Sequence, residues 1–253
     1  MAQALGCGSI VTGHYALIRF DEASGRYLLF KASDPAKDQS YVLYMLTQEQ
    51  LGRIHFPLGE LTKEQARAIA VEQGFLNARK RDSQDICFVP DGDHIAFMER
   101  FSGKKYTPGA FLDQSGKVVG THRGAACYTL GQRKGLGLAM GAPVYVCAKD
   151  MQQNTVTVGP NEALFARTLI ADNWNWIPFP ELQSPLPVMA RSRYNQKEQP
   201  ATVYPEPDGR ARVVFDQPQR AMTPGQAVVL YQGDCVIGGG TILSVHKEKD
   251  GGA

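Results

Sequence analysis

Six short apolar runs in the last third of the chain constrain its fold more than any other feature. Turn-forming residues separate each run from the next. Short strands at this spacing predict a small closed β-barrel, in which every strand edge is paired. The six candidate strands are residues 168–174, 187–193, 201–205, 211–215, 226–231 and 235–242.

The start of the chain has the pattern of an α/β unit. Residues 8–16 contain an apolar run that breaks at a glycine. This predicts a buried strand whose loop lies where open α/β sheets bind ligands. Helices are predicted over residues 37–54, 62–73 and 91–101, and the second of them stops at Gly74. Capping boxes support two helix starts, at Thr47 with Gln50 and at Thr62 with Gln65.

Two β-hairpins are predicted between these parts. One covers residues 110–120, and the other joins strands at 143–149 and 155–159. The fold class is therefore α/β plus β. The expected domains are residues 1–90, 91–165 and 166–253.

The single strand predicted near residue 10 leaves the α/β sheet incomplete. A buried strand with no neighbour exposes unpaired backbone groups, which is costly and favours aggregation. We therefore expect the chain to be cut from a larger domain that begins further upstream.

Charge gives only a local indication of nucleic-acid binding. The net charge of the chain is +2, so an RNA surface must be a patch. Residues 99–140 contain seven basic side chains and two acidic ones, a balance that attracts phosphates. A solvated basic face is the alternative interpretation.

The cysteines indicate a reducing, cytoplasmic setting. The chain has five, an odd count, with no CxxC pair and no metal-ligand spacing. We predict no signal peptide at the start and no membrane-spanning helix, and we expect neither a membrane nor a DNA partner.

Eight ordered motifs carry a family resemblance over nearly the whole chain. Together they resemble the tRNA-specific 2-thiouridylase family, from the middle of its ATP-pyrophosphatase domain to its C-terminus. They are TGHYA at 12–16, DPAKDQSYVLY at 34–44, FPLGELTKEQAR at 56–67, DSQDICFV at 82–89, YTLGQRKGLG at 128–137, RSRYNQ at 191–196, and TPGQ with IGGGTI near the end.

The resemblance implies a fold and a reaction. The fold would be the C-terminal part of an adenine-nucleotide-hydrolase-like α/β domain, a small mixed central domain and a C-terminal six-stranded β-barrel. The reaction would be ATP-dependent replacement of oxygen by sulfur at carbon 2 of the wobble uridine of tRNA. ATP would adenylate the carbonyl oxygen, and a cysteine persulfide would deliver the sulfur. The implied partners are tRNA and a persulfide-donor protein, with magnesium accompanying ATP.

Cys87 matches the sulfur-carrying cysteine of the family. Its chemistry needs an accessible sulfur near positive charge, which Arg79, Lys80 and Arg81 supply in sequence. A buried structural cysteine is the alternative. We expect that alternative to hold for Cys127, Cys147 and Cys235, which lie in β-rich apolar runs.

The other site residues also follow from the resemblance. Gly13 would contact ATP, because glycine lets the backbone approach a ligand closely. The expected tRNA contacts are His14, Lys37, Asp38, Gln39, Arg193, Tyr194 and Gln226. Alternatives remain open: a turn glycine, a surface histidine, a helix start capped by Asp38, and polar residues on a barrel rim.

Two family features are absent from the sequence. One is the Ser-Gly-Gly-Val-Asp-Ser loop that holds the ATP phosphates, and the other is the Asn-Pro-Asp triplet before the second cysteine, which forms a disulfide with the first. Cys7 does not stand at that second position. The chain alone is therefore expected to be inactive. The alternatives are a non-catalytic tRNA-binding or sulfur-carrier remnant, and an unrelated translation-factor-like β-barrel protein.

Overall fold

The structure is a computed structural model that describes residues 3–76, 78 and 94–247. In this part of the chain four α-helices are found: α1 Ser40–Leu43, α2 Gln48–Leu51, α3 Lys63–Glu72 and α4 His94–Ser102. The strands are β1 Ile10–Val11, β2 Leu17–Asp21, β3 Arg26–Phe30, β4 Ile54–His55, β5 Gly109–Leu112, β6 Val118–His122, β7 Tyr145–Asp150, β8 Thr155–Gly159, β9 Phe165–Trp176, β10 Leu186–Arg191, β11 Gln199–Pro205, β12 Ala211–Arg220, β13 Ala227–Gln232 and β14 Cys235–His246.

The last six strands form the predicted barrel. Their order is β13-β10-β11-β12-β9-β14, and β13 also pairs with β14, which closes the sheet on itself. Alternate residues point inwards and form one apolar core that includes Leu169, Val203, Phe215 and Leu230. All six predicted strands are confirmed, with bounds that differ by a few residues.

A β2–β3 hairpin extends the barrel sheet, and the sequence analysis missed it. Strand β3 pairs with β14 through Phe30 and Cys235, so the sheet has eight strands. The prediction of one strand and two helices in the first 75 residues was wrong, because four strands and three helices lie there. The predicted helix over 37–54 is two short helices, and both predicted capping boxes are present.

The expectation that the strand near residue 10 is buried and unpaired was also wrong. Strand β1 pairs in parallel with β4, through Ile10 with Ile54 and Val11 with His55. Both residues of β1 are exposed, whereas Ile54 of β4 packs against an apolar core.

The described residues fall into two compact units. The first comprises residues 3–76, 78, 166–218 and 222–247, so the N-terminal α/β part and the barrel pack as one body. A second apolar core, which includes Leu29, Tyr44, Leu51 and Tyr231, joins them.

The second unit comprises residues 94–165 and 219–221. Its four-stranded sheet has the order β6-β5-β8-β7 and contains both predicted hairpins, β5–β6 and β7–β8. Phe111, Val146 and Val156 are fully buried in its core. No helix among the described residues of either unit is long and apolar enough to cross a membrane.

Candidate functional site

The loop after β1 carries the first predicted site residues. His14 is partly buried, and its Nδ1 lies 2.9 Å from Thr12 Oγ1. Its ring packs edge-to-face with that of Phe56, with 5.9 Å between the ring centroids. Gly13 is exposed, and an added Cβ there would meet only Leu58 Cδ1, at an ordinary 3.7 Å. The fold itself therefore does not require a glycine at position 13.

Gly59, which the sequence analysis did not single out, is the glycine that this loop needs. An added Cβ would overlap the Ala16 carbonyl oxygen and lie 2.8 Å from its carbonyl carbon. The Gly59 carbonyl also accepts a hydrogen bond from the Ser33 N–H at 2.9 Å. Two separate loops thus meet at a position with no room for a side chain.

Gln39 fixes the first loop to the predicted KDQ segment. Its side-chain Oε1 accepts the Tyr15 N–H at 3.0 Å, and its own N–H donates to the Tyr15 carbonyl at 2.9 Å. Lys37 is partly buried, and its N–H donates to the Asp34 carbonyl at 3.1 Å. The backbone of 37–39 is therefore held against the loop that contains His14.

Asp38 lies in the interior of the first unit. Its Oδ1 accepts the N–H groups of Ala32 at 3.1 Å and Ser40 at 3.2 Å, and its Oδ2 accepts the Ser40 hydroxyl at 2.9 Å. Gln39, not Asp38, stands at the N-cap of α1. This geometry favours a positioning role, and direct contact of Asp38 with tRNA stays a prediction.

A charge network connects Asp38 to the barrel. Arg191 lies 3.9 Å from Asp38 and 2.7 Å from Glu198, which also pairs with Lys31 at 2.8 Å. The Arg191 guanidinium and the Lys31 ammonium both lie near the face of Tyr231, at 5.1 and 4.8 Å. Burial raises the pKa of Tyr231, so this ring stays neutral. The two cations thus lie close to three carboxylates, those of Asp38, Glu198 and the exposed Asp234, which is 3.9 Å from Lys31.

Hydrogen bonds between its own residues hold the RSRYNQ turn. Gln196 Oε1 accepts the Ser192 N–H at 3.1 Å and the Ser192 hydroxyl at 2.8 Å. Arg193 Nη2 donates to Thr223 Oγ1 at 2.9 Å, which links this turn to the TPGQ turn. Gln226 is exposed, and its N–H donates to the Thr223 carbonyl at 3.1 Å.

Tyr41 joins the KDQ segment to both turns. Its ring packs edge-to-face with that of Tyr194, with 5.7 Å between the ring centroids. Its hydroxyl donates a hydrogen bond to the Ala227 carbonyl at 2.8 Å. Tyr41 is 7% exposed, whereas Tyr194 is 46% exposed and presents its ring to solvent. Burial, with a contribution from Tyr44, raises the pKa of Tyr41 to about 12, so the hydroxyl remains a donor. No local sequence signal could have identified Tyr41, since its partners are distant in the chain.

The glycines of IGGGTI accommodate aromatic rings. An added Cβ at Gly239 would lie 2.7 Å from Tyr44 Cγ, and one at Gly240 would lie 2.9 Å from Trp174 Cδ2. Burial raises the pKa of Tyr44, which keeps it neutral beside these glycines. This motif therefore packs the α1 segment onto the barrel.

The YTLGQRKGLG loop of the second unit is held by its own contacts. Arg220 Nε donates to Asn161 Oδ1 at 3.0 Å and its Nη2 to the Gly131 carbonyl at 3.3 Å. Gly131 has a positive φ of 84°, a conformation that favours glycine. Arg133 and Lys134 are exposed on this loop, where their charges face solvent.

The cysteine predicted to carry sulfur cannot be placed in this site. Cys87, with Arg79, Lys80 and Arg81, lies outside the described residues. Cys7 is exposed, and burial raises the pKa of the partly buried Cys235 thiol, which lowers its reactivity. Cys127 and Cys147 are partly buried.

The predicted ATP contact, Gly13, and the possible metal ligands were compared with what ATP and magnesium require. Gly13 provides no cradle that a side chain would fill. No group of His, Cys, Asp and Glu among the described residues is arranged to hold a metal ion such as magnesium.

Three family models match consecutive parts of the chain. A tRNA methyl transferase HUP domain matches residues 1–91, a tRNA methyl transferase PRC-barrel domain matches 95–160, and an aminomethyltransferase β-barrel domain matches 166–242. The predicted fold class is confirmed: an α/β part, a mixed central part and a β-barrel.

Curated relatives are similar over almost the whole chain. The tRNA-specific 2-thiouridylase MnmA of Heliobacterium modesticaldum is 52% identical over 95% of this chain and 63% of its own length. The enzyme of the same name from Acetivibrio thermocellus is 50% identical, over 95% of this chain and 67% of its own. That of Moorella thermoacetica is 52% identical, over 97% and 69%. The chain thus spans about two thirds of the length of these relatives.

The fold and the three family-model matches together define a class of protein. In this class a HUP-type α/β part, a PRC-barrel and a β-barrel follow one another along the chain. Half or more of the residues are shared with relatives that are named for uridine thiolation, over 95% or more of this chain. The chain belongs to the tRNA-specific 2-thiouridylase family.

Proposed function

We propose that the chain takes part in ATP-dependent transfer of persulfide sulfur to carbon 2 of the wobble uridine of tRNA. One observation carries the tRNA part of this proposal. The KDQ segment, the RSRYNQ turn and the TPGQ turn meet around Tyr41, although they are far apart in sequence. Segments that converge on an exposed ring suit a base that has left its stack.

Cys87 is the proposed carrier of sulfur. A donor protein would load it as a persulfide, and ATP would adenylate the uridine carbonyl oxygen with release of pyrophosphate. The terminal sulfur would then attack carbon 2, and the carbon–oxygen bond would break with AMP as the leaving group. Breaking the sulfur–sulfur bond needs a second thiol as electron donor, and no described cysteine is assigned that role. ATP, with magnesium, is proposed as co-substrate from the family resemblance, and a cytoplasmic setting goes with it.

The proposed tRNA surface has contacting and positioning residues. Tyr194 would stack on a base, Arg193 and Lys37 would meet phosphates, and Gln226 is exposed beside them. His14 and Gln39 would contact tRNA from the first loop. Asp38 would act by holding this backbone, since its carboxylate is used internally.

A second candidate function is a non-catalytic tRNA-binding or sulfur-carrier protein. The observation that favours it is that Gly13, the predicted ATP contact, has room for a side chain and so shows no close approach to a ligand. The formation of 2-thiouridine distinguishes the two candidates, because only the first requires it.

Replacing Tyr194 by alanine is expected to weaken tRNA binding about 10- to 100-fold, because stacking of one base contributes ~1–3 kcal/mol. Replacement by phenylalanine keeps the ring and should leave the affinity nearly unchanged. Fluorescence anisotropy with unmodified tRNA at several salt concentrations measures both variants. Wild-type binding should be weak and fall steeply with salt.

An exposed cation of the second unit gives a contrasting control. Arg133→Ala should reduce the slope of affinity against salt by about one, whereas Tyr194→Ala should leave that slope unchanged. Equal affinity of Tyr194→Ala and the wild type would contradict the proposed surface. So would a salt-independent affinity of the wild type.

A further inference from the structure

The second unit contains a cavity of about 410 Å³ beside the YTLGQRKGLG loop. Its lining is mostly apolar and comes from the end of that loop and the segment after it, residues 135–139 and 142–144. Arg133 is the one charged residue among the described residues that line it. An apolar cavity with a single charged group has the composition of a small-ligand site, for which volumes of about 300–1000 Å³ are usual.

The walls of this cavity are anchored to the core of the second unit. Leu136 is 7% exposed and belongs to that core, and Val144 packs against it. At the start of the loop, the Gly131 N–H donates to the Val146 carbonyl at 2.8 Å, and the Val146 N–H donates to the Gln132 carbonyl at 3.0 Å. The cavity is therefore built into the packed fold of this unit.

The rim of the cavity combines positive charge with open backbone. Arg133 and Lys134 are exposed. The Gln132 side chain accepts the Thr129 N–H and donates to the Lys134 carbonyl, both at 3.0 Å, which fixes the backbone that carries the two cations. An added Cβ at Gly137 would meet no atom of a non-adjacent residue within 4 Å, so a ligand can approach the backbone there.

A planar ring that carries an anion suits these properties. Apolar walls can cover the faces of a nucleobase, whichever base it is, and a guanidinium can bind the phosphate with two hydrogen bonds. Residues 99–140 contain seven basic side chains and two acidic ones, more positive charge than one phosphate needs. This excess favours a nucleotide within an RNA strand over a free nucleotide, because each further phosphate adds a contact.

We propose that this cavity binds one unstacked nucleotide of a single-stranded RNA segment, with the base against Leu136 and Val144 and the phosphate at Arg133. The proposal rests on the proposed function for the identity of the RNA, which would be tRNA. It adds a second nucleotide site, in the second unit, to the one around Tyr194 in the first. Only RNA with an unpaired base can fill the cavity, because a base inside a duplex is stacked on both faces.

Filling the cavity tests the proposal without changing the charge. Ala142 lines the cavity and is exposed, so Ala142→Trp should fold and occupy the space of the base. Fluorescence anisotropy measures its affinity for a single-stranded oligouridine of about ten nucleotides. We expect binding at least about tenfold weaker than that of the wild type, because the contacts of one base are lost. The slope of affinity against salt should not change, since no cation is removed. An RNA duplex without unpaired bases should bind the variant and the wild type equally well.

Three further variants separate the cavity from the rest of the second unit. Ala139→Trp fills the cavity from another exposed lining position and should weaken binding to a similar extent. Ala142→Ser leaves the cavity open and should bind as the wild type does. Val118→Trp is the matched control, since Val118 is 61% exposed on β6 and does not line the cavity, and it should leave the affinity unchanged. Circular dichroism checks that each variant is folded.

Several outcomes would overturn the proposal. They are wild-type affinity for the oligouridine in Ala142→Trp and Ala139→Trp, an equal loss in Val118→Trp, and an equal loss of affinity for the duplex. Displacement of the oligouridine by an equal concentration of uridine monophosphate would show a site for free nucleotides instead. Loss of single-strand binding in both filled variants, in a chain that forms no 2-thiouridine, would support the cavity while counting against the proposed function. Unchanged binding together with normal thiolation would do the reverse.

Discussion

Replacing Gly59 by alanine is expected to lower the free energy of unfolding of the first unit by about 3 kcal/mol or more. The added methyl group would overlap the backbone carbonyl of Ala16, and backbone cannot turn aside as a flexible side chain can. Relief requires the two loops to separate, which also strains the Ser33 N–H bond to Gly59. Urea unfolding followed by the fluorescence of Trp174 and Trp176 measures the loss.

Gly13→Ala is the matched control, because its Cβ would meet only the Leu58 side chain, at 3.7 Å. Its unfolding midpoint should lie close to that of the wild type, within about 0.5 kcal/mol for an exposed position. Equal midpoints for the two variants would show that the close approach at Gly59 does not exist.

The second large effect is expected from Glu198→Ala, at about 3–5 kcal/mol of stability. This substitution leaves the Lys31 ammonium and the Arg191 guanidinium side by side, with side chains only 18% exposed. The remaining close anions would be Asp38, 3.9 Å from Arg191, and the exposed Asp234, 3.9 Å from Lys31. Glu198→Gln keeps hydrogen-bonding atoms and should lose less.

An exposed ion pair provides the control for this prediction. Glu49 and Arg53 lie 3.4 Å apart on the surface, with side chains 65% and 48% exposed. Glu49→Ala should cost less than about 1 kcal/mol, because solvent screens such pairs. If urea unfolding gives the same loss for Glu198→Ala and Glu49→Ala, the network does not hold the two parts of the first unit together.

Features with a local signal could be predicted from the sequence. The barrel strands and the two central hairpins follow from apolar runs bounded by turns, and the capping boxes from residues three apart. Each pattern lies within a single element, so the amino-acid order is sufficient. The domain boundaries at residues 90 and 165 stay a prediction. In the described part of the chain, the N-terminal part and the barrel belong to one compact unit.

Features that depend on distant contacts could not be predicted. Arg26 Nε donates to the Ile177 carbonyl across 151 residues, and Tyr41 bonds to Ala227 across 186. The β2–β3 hairpin does have a local signal, an apolar run on each side of the turn that Gly25 N–H closes on the Asp21 carbonyl, and only its pairing with β14 depends on a distant contact. Gly59 has an ordinary sequence context, and only the approach of Ala16 makes a side chain impossible there.

Sulfur transfer through Cys87 is the central claim, and an in vitro thiolation assay tests it most directly. Unmodified tRNA is incubated with ATP, magnesium, a persulfide donor, the chain and a complementary polypeptide, which is the part of the Moorella thermoacetica relative that this chain does not match. The nucleosides of the tRNA are then analysed by mass spectrometry. We predict 2-thiouridine with the wild-type chain, none with Cys87→Ser, and none when the chain is incubated without the complementary polypeptide. Formation of 2-thiouridine by Cys87→Ser at the wild-type rate would contradict the assignment of Cys87 as the sulfur carrier.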